Sequence, residues 1–138
     1  MKKKIVLGVT GSIAAYKSAE IASRLVRMGY NVQVVMTSSA AKFIAPLTFE
    51  ALTKNKVYVD MFEDEDHDKV THIALATESD LILIAPATYN IIGKAACGIA
   101  DDLLSSIIAA APRDKVVFAP AMNVNMYNNP VLMENRRK

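Results

Sequence analysis

Ile5-Val6-Leu7-Gly8-Val9-Thr10-Gly11-Ser12-Ile13-Ala14 is the stretch on which the fold turns. Ile5 to Val9 is a short apolar, β-branched run of strand length. Gly11 and Ser12 make a tight turn. Beyond it, Ala14, Ser18, Ile21, Leu25 and Met28 recur at spacings of 4, 3, 4 and 3, which marks one face of a helix. Gly29 is placed to end that helix. A strand that passes through a glycine turn into a helix is the opening unit of an alternating α/β chain.

The alternation continues. Asn31 to Met36 reads as strand two, Val57 to Val59 as a short third strand, Leu81 to Ala85 as a fourth and Val116 to Ala119 as a fifth, buried one. Thr37-Ser38-Ser39 offers hydroxyls to cap a short helix from Ala40. Pro46 can start another helix through Leu52. Asp101-Asp102 suits the N-terminus of a helix carrying Leu103, Leu104, Ile107, Ile108 and Ala111 on one face. Pro86 to Asn90 reads as a loop, and a final short helix is expected from Pro130. The strand runs are continuously apolar rather than alternating, which fits strands covered on both faces of a parallel sheet. The expected fold is therefore α/β: a three-layer, doubly wound, Rossmann-like parallel sheet of order 3-2-1-4-5. It forms a single domain over residues 1–138, with an edge strand expected beyond the chain end.

The composition suits that fold. Apolar residues make up 52% of the 138, enough to fill a core without staples. The net charge is +2, with basic runs at the two ends, Lys2 to Lys4 and Arg136 to Lys138. A nucleic-acid footprint would be denser and interleaved with aromatics, so no nucleic-acid partner is expected. The single cysteine, Cys97, rules out an internal disulfide and a cysteine-based zinc site. It reads as a small buried residue. No apolar run reaches the roughly 18 residues of a membrane span, and no signal peptide is visible. No membrane partner is expected, and a cytoplasmic location is the default. His67 lies among Glu63, Asp64, Glu65, Asp66 and Asp68, which reads as a solvated loop rather than a metal site.

Chemistry gathers at strand ends, where open α/β sheets bind ligands. The first strand leads to Gly11, Ser12 and Ile13, at a helix N-terminus that attracts anions. This is neither a full G-x-G-x-x-G nor a Walker loop. Strand two ends in Met36-Thr37-Ser38 with no acid to hold a ribose, which argues against NAD and for a mononucleotide. Strand four leads to Pro86-Ala87-Thr88-Tyr89-Asn90. Strand five leads to Pro120-Ala121-Met122-Asn123-Val124-Asn125-Met126-Tyr127. There, Met122 and Met126 fit a core helix face, but Asn123 and Asn125 do not, because buried amides without partners are costly. His72, in Thr71-His72-Ile73 ahead of strand four, can titrate near neutral pH and serve as a base.

Taken together, Gly11-Ser12-Ile13-Ala14-Ala15-Tyr16-Lys17, His72-Ile73, Pro86 to Ile91 and Pro120 to Tyr127 resemble the homo-oligomeric flavin-containing cysteine decarboxylases, most closely their phosphopantothenoylcysteine-decarboxylating branch. The last segment is similar to the family's PxMNxxMW, with Tyr127 in place of tryptophan. Pro86 to Ile91 is similar to its PASANT, with Ile91 in place of the final hydroxyl. The resemblance implies FMN, lined by Gly11, Ser12, Ile13, Thr37, Ser38, Ser39, Thr88, Tyr89, Asn90, Ile91 and Ala121. It implies His72 as the active-site base and Asn123 as the holder of the substrate carboxylate, with Met122 and Met126 beside the substrate.

The implied reaction is decarboxylation of 4′-phosphopantothenoylcysteine toward 4′-phosphopantetheine in coenzyme A biosynthesis. The cysteine side chain would pass through a thioaldehyde, which takes up the electrons as carbon dioxide leaves, and then an enethiolate. The resemblance also implies a homo-oligomer, a trimer or a dodecamer of trimers, and a phosphopantothenoylcysteine synthetase either fused or separate. The family's flap cysteine has no counterpart in the eleven residues after Tyr127, so the substrate flap is expected to be absent. The competing readings are a lantibiotic-type peptidyl-cysteine decarboxylase and a non-enzymatic FMN-binding regulator. Flavin prenyltransferases are a further relative, but their downstream arginine-rich signature is not matched.

Overall fold

The β1 strand, Lys4–Val9, is the centre of the molecule because its side chains are apolar on both faces. In the computed structural model, which describes residues 3–11, 14–59, 74–100 and 103–120, β1 pairs in parallel with β2 (Asn31–Met36) on one side and β4 (Leu81–Ala87) on the other. The short β3 (Tyr58–Val59) continues the sheet beyond β2, and β5 (Val116–Pro120) beyond β4. The order is β3-β2-β1-β4-β5, all parallel, as expected.

Successive strand residues point to opposite faces, and this alternation builds two cores. Leu7, Val9, Val32, Val34 and Met36 face one way, against Ala15 and Ala22 of α1 (Ala15–Arg27) and Phe49 of α2 (Pro46–Thr53). Val6, Val35, Ile82 and Ile84 face the other way. They meet Ile91 and Ile92 of α4 (Tyr89–Cys97) and Leu103, Leu104 and Ile107 of α5 (Leu103–Ala110). Gly8 allows that second layer to close. A Cβ there would lie 2.7 Å from both Ile84 Cδ1 and Leu104 Cδ1.

Several expectations are corrected. On α1, Ser18 is buried and Ile21 and Leu25 pack against the core as expected, but the fully buried stripe is Ala15, Ser18 and Ala22, and Met28 is 67% exposed. The helix ends at Arg27 and Gly29, at φ +94°, turns the chain away, as expected. β4 extends to Ala87, two residues past the expected end. Tyr89–Cys97 forms α4, where the sequence predicts a loop up to Asn90. Residues 74–78 are also helical (α3), so a helix precedes β4 where none was expected. The fifth strand is not buried: among the described residues β5 is the sheet edge, with Val117 46% exposed. Cys97 is exposed, not buried. It lies five residues after Ile92, which at 3.6 residues per turn places it away from the face that α4 buries. The acidic tract with His67, the Asp101-Asp102 helix start and the helix expected from Pro130 lie outside the described residues.

Candidate functional site

In the order β3-β2-β1-β4-β5, the chain moves outward from β1 in one direction through β2 and β3. It then returns to the other side of β1 for β4 and β5. Loops leaving β1 and β4 therefore part in opposite senses, and a crevice opens between the carboxyl ends of those strands. The described residues bring three strand-end segments to this place: Thr10-Gly11 after β1, Thr37-Ser38-Ser39 after β2, and Thr88-Tyr89-Asn90 after β4.

The β1 and β2 ends are pressed together. The Thr37 N–H donates to Val9 O at 3.0 Å, carrying the strand pairing one step further. A Cβ on Gly11 would sit 2.5 Å from Ser39 Cβ and 3.1 Å from the Ser39 carbonyl carbon. Only glycine permits that approach. Thr37 Oγ1 then accepts from the Ala40 N–H at 3.1 Å, starting the short 3-10 turn Ala40–Lys42. Ser38 and Ser39 are exposed at the rim.

The β1 and β4 ends are tied by a side chain. β1–β4 pairing stops at Gly8 and Ile84, and the β4–β5 register slips between Ile84 and Ala87. The backbone of Ala85 and Pro86 thus leaves the ladder while still buried. Buried carbonyls need donors, and two hydroxyls supply them. Thr10 Oγ1 donates to Pro86 O, and Ser18 Oγ, on α1, donates to Ala85 O at 2.6 Å. Thr10 and Ser18 are 2% and 1% exposed. The Ala85–Pro86 peptide is cis.

Past β4, Thr88 caps α4, its Oγ1 accepting from the Ile91 N–H at 3.3 Å. The Thr88 N–H itself donates to Thr10 Oγ1 at 3.2 Å. The Tyr89 and Asn90 N–H groups have no partner among the described residues, and the Asn90 side chain is exposed. Ile91 points the other way: its side chain is 2% exposed and packs in the core. No acidic residue stands among these strand-end positions.

Of the residues expected from the sequence to form the site, Gly11, Thr37, Ser38, Ser39, Thr88 and Asn90 are at this crevice, as is the backbone of Tyr89. Ser12, Ile13, His72, Ala121, Met122, Asn123 and Met126 lie outside the described residues. Thr10 was missed as a residue that shapes the loop, and Ser18 as the donor that satisfies the buried Ala85 carbonyl. A hydroxyl between a strand and a glycine turn, and a serine within an otherwise apolar helix stripe, were the signals that could have found them.

A model of the Flavoprotein family matches residues 1–138. The Coenzyme A biosynthesis bifunctional protein CoaBC of Borreliella burgdorferi is 52% identical over 136 residues, covering 99% of this chain and 34% of that protein. A probable phosphopantothenoylcysteine decarboxylase of Streptococcus mutans is 46% identical over 136 residues, covering 98% of this chain and 76% of the relative. This chain thus spans a third of the length of the bifunctional relative and three quarters of the Streptococcus one. Among solved structures, a mutant PPC decarboxylase complexed with pantothenoylaminoethenethiol matches with TM-score 0.82 at 33% identity, covering 99% of this chain and 76% of that one. The FMN-dependent cysteine decarboxylase SpaF matches with TM-score 0.85, also at 33% identity, covering 98% and 77%. With a family model spanning its whole length and relatives of this identity, the chain belongs to the Flavoprotein family.

Proposed function

We propose that this chain binds FMN in the crevice between β1, β2 and β4 and decarboxylates 4′-phosphopantothenoylcysteine toward 4′-phosphopantetheine. The observation that carries the reading is the convergence of three strand ends rich in hydroxyls, amides and backbone N–H groups, in a chain of the Flavoprotein family. The residues present fit a flavin mononucleotide. Gly11 brings the β1 and β2 loops into contact, Ser38, Ser39 and Asn90 are exposed, and two α4 amides have no partner among the described residues. No carboxylate among them repels a phosphate.

When bound, FMN supplies two-electron oxidation and reduction of the substrate thiol carbon. The protein's own groups do the rest. His72 takes the proton released as that carbon is oxidised, and Asn123 holds the carboxylate that departs as carbon dioxide, a positioning role. Both roles come from the family motifs, as do Met122 and Met126 beside the substrate and Ser12, Ile13 and Ala121 beside the cofactor.

Phosphopantothenoylcysteine is preferred over a peptide substrate on identity. The Streptococcus relative named for it is 46% identical, whereas the peptidyl-cysteine decarboxylase EpiD is 26% identical at TM-score 0.86. The reading includes a homo-oligomer built from trimers, for which Tyr16, Phe43 and Leu47 offer exposed apolar surface. It also includes a phosphopantothenoylcysteine synthetase as the neighbouring activity, fused or separate. No helix among the described residues is long and apolar enough to cross a membrane.

Purified protein should carry a flavin visible spectrum, and mass spectrometry of the released cofactor should give the monophosphate. Colourless protein that takes up no added FMN would end this reading.

A further inference from the structure

We propose that Thr10 is a positioning residue for the cofactor loop: its buried hydroxyl holds the Thr88 amide inward and thereby presents the Tyr89 and Asn90 amides to the flavin. The inference rests on the FMN reading and adds to it a residue that need not touch the cofactor.

A threonine hydroxyl has one proton to donate and lone pairs to accept with. At Thr10 both functions are in use, and both act on the same loop. The donor goes to Pro86 O and the acceptor serves the Thr88 N–H at 3.2 Å. One side chain, on the residue just past β1, thus clamps two backbone groups two residues apart, across the crevice at which the sheet order reverses. Thr88 in turn caps α4 through Ile91. The start of α4 is therefore fixed in a chain of three bonds that begins at the end of β1.

Which amides of the loop remain for a ligand follows from that chain. The Thr88 N–H belongs to Thr10 and the Ile91 N–H to Thr88. Tyr89 and Asn90 are left without partners among the described residues. Without the Thr10 hydroxyl, the Thr88 amide and the Pro86 carbonyl both lose their partner. They must then find water or new partners, which loosens the start of α4.

Ser18 provides the comparison. It bonds the adjacent carbonyl, Ala85 O, from a position just as buried, but touches no amide of the loop. Thr10→Val and Ser18→Ala should both lower thermal stability. Only Thr10→Val should weaken FMN binding, by about ten- to a hundred-fold, with a shifted flavin absorption band. Thr10→Ser, which keeps the hydroxyl, should bind within about three-fold of the parent.

Amide hydrogen exchange on the full parent chain, stripped of flavin and then reloaded with FMN, tests the geometry without any variant. The Thr88 amide should already be protected in the stripped protein, while Tyr89 and Asn90 gain protection only on reloading. A Thr88 amide that exchanges freely until FMN is added would overturn the proposal, as would a Thr10→Val protein that binds FMN like the parent. Failure of the parent to take up FMN would instead strike the functional reading, since Thr88 protection is read before the cofactor is present.

Discussion

Gly11 and Ser39 stand so close that a Cβ built on the glycine would lie 2.5 Å from the Cβ of the serine. Real Cβ atoms do not approach to that distance, and the next neighbours are backbone atoms of Ser39 and Ala40, which cannot rotate away as a flexible side chain would. The β1 and β2 loops are therefore in contact only because residue 11 has no side chain. Gly11→Ala should push them apart, at a cost of about 1–3 kcal/mol, and cut FMN retention. Thermal melting and the flavin-to-protein absorbance ratio read both effects. An alanine variant as yellow and as stable as the parent would show that the loops are not held in this contact.

Ser18 is expected to matter for stability well beyond its size. Ser18→Ala leaves Ala85 O buried without its donor, at a cost of about 1–3 kcal/mol. The urea midpoint should fall with the slope of the transition unchanged. A midpoint equal to the parent's would mean that the carbonyl finds another donor.

Lys54 ends α2 in the left-handed region, at φ 60°, where a side chain is strained. Lys54→Gly should stabilise the fold, or at worst leave it unchanged, with a gain of up to about 1 kcal/mol after the greater freedom of glycine in the unfolded chain is subtracted. Loss of stability on denaturant unfolding would show that the lysine side chain has a structural role of its own.

The α/β order was legible because the strands are short, apolar and punctuated by Gly11, Gly29 and prolines. What was not legible has physical causes. The α4 helix hides behind Pro86-Ala87-Thr88-Tyr89-Asn90, whose composition reads as loop up to the residue where Thr88 begins to cap it. Val116 to Ala119 looks as apolar as a central strand, and nothing in four residues reveals that β5 is the edge among the described strands. Gly11, Thr37 to Ser39 and Thr88 to Asn90 could be placed at the crevice from the sequence because they follow strand ends. The roles of Thr10 and Ser18 could not be read, because a hydroxyl that serves distant backbone groups, 76 and 67 residues away, leaves no local pattern.

His72→Asn should keep FMN bound yet reduce carbon dioxide release by about 10²–10⁴-fold, the range typical for loss of a general base. Turnover near the parent's in this variant would remove His72 from the mechanism.

Assembly follows from the same reading. Light scattering on the FMN-bound protein should give a mass that is a multiple of three chains. Replacing exposed Tyr16, Phe43 and Leu47 with serine should shift it toward smaller species if these side chains are covered by neighbouring copies. A stable FMN-bound monomer at micromolar concentration would contradict the oligomer.

The central claim is tested most directly by offering the purified, FMN-loaded protein 4′-phosphopantothenoylcysteine and, separately, a peptide ending in cysteine, and weighing the products by mass spectrometry. The account predicts a product lighter by one carbon dioxide from the phosphopantothenoyl substrate and little or none from the peptide. An unchanged phosphopantothenoyl substrate, or preferential decarboxylation of the peptide, would contradict it.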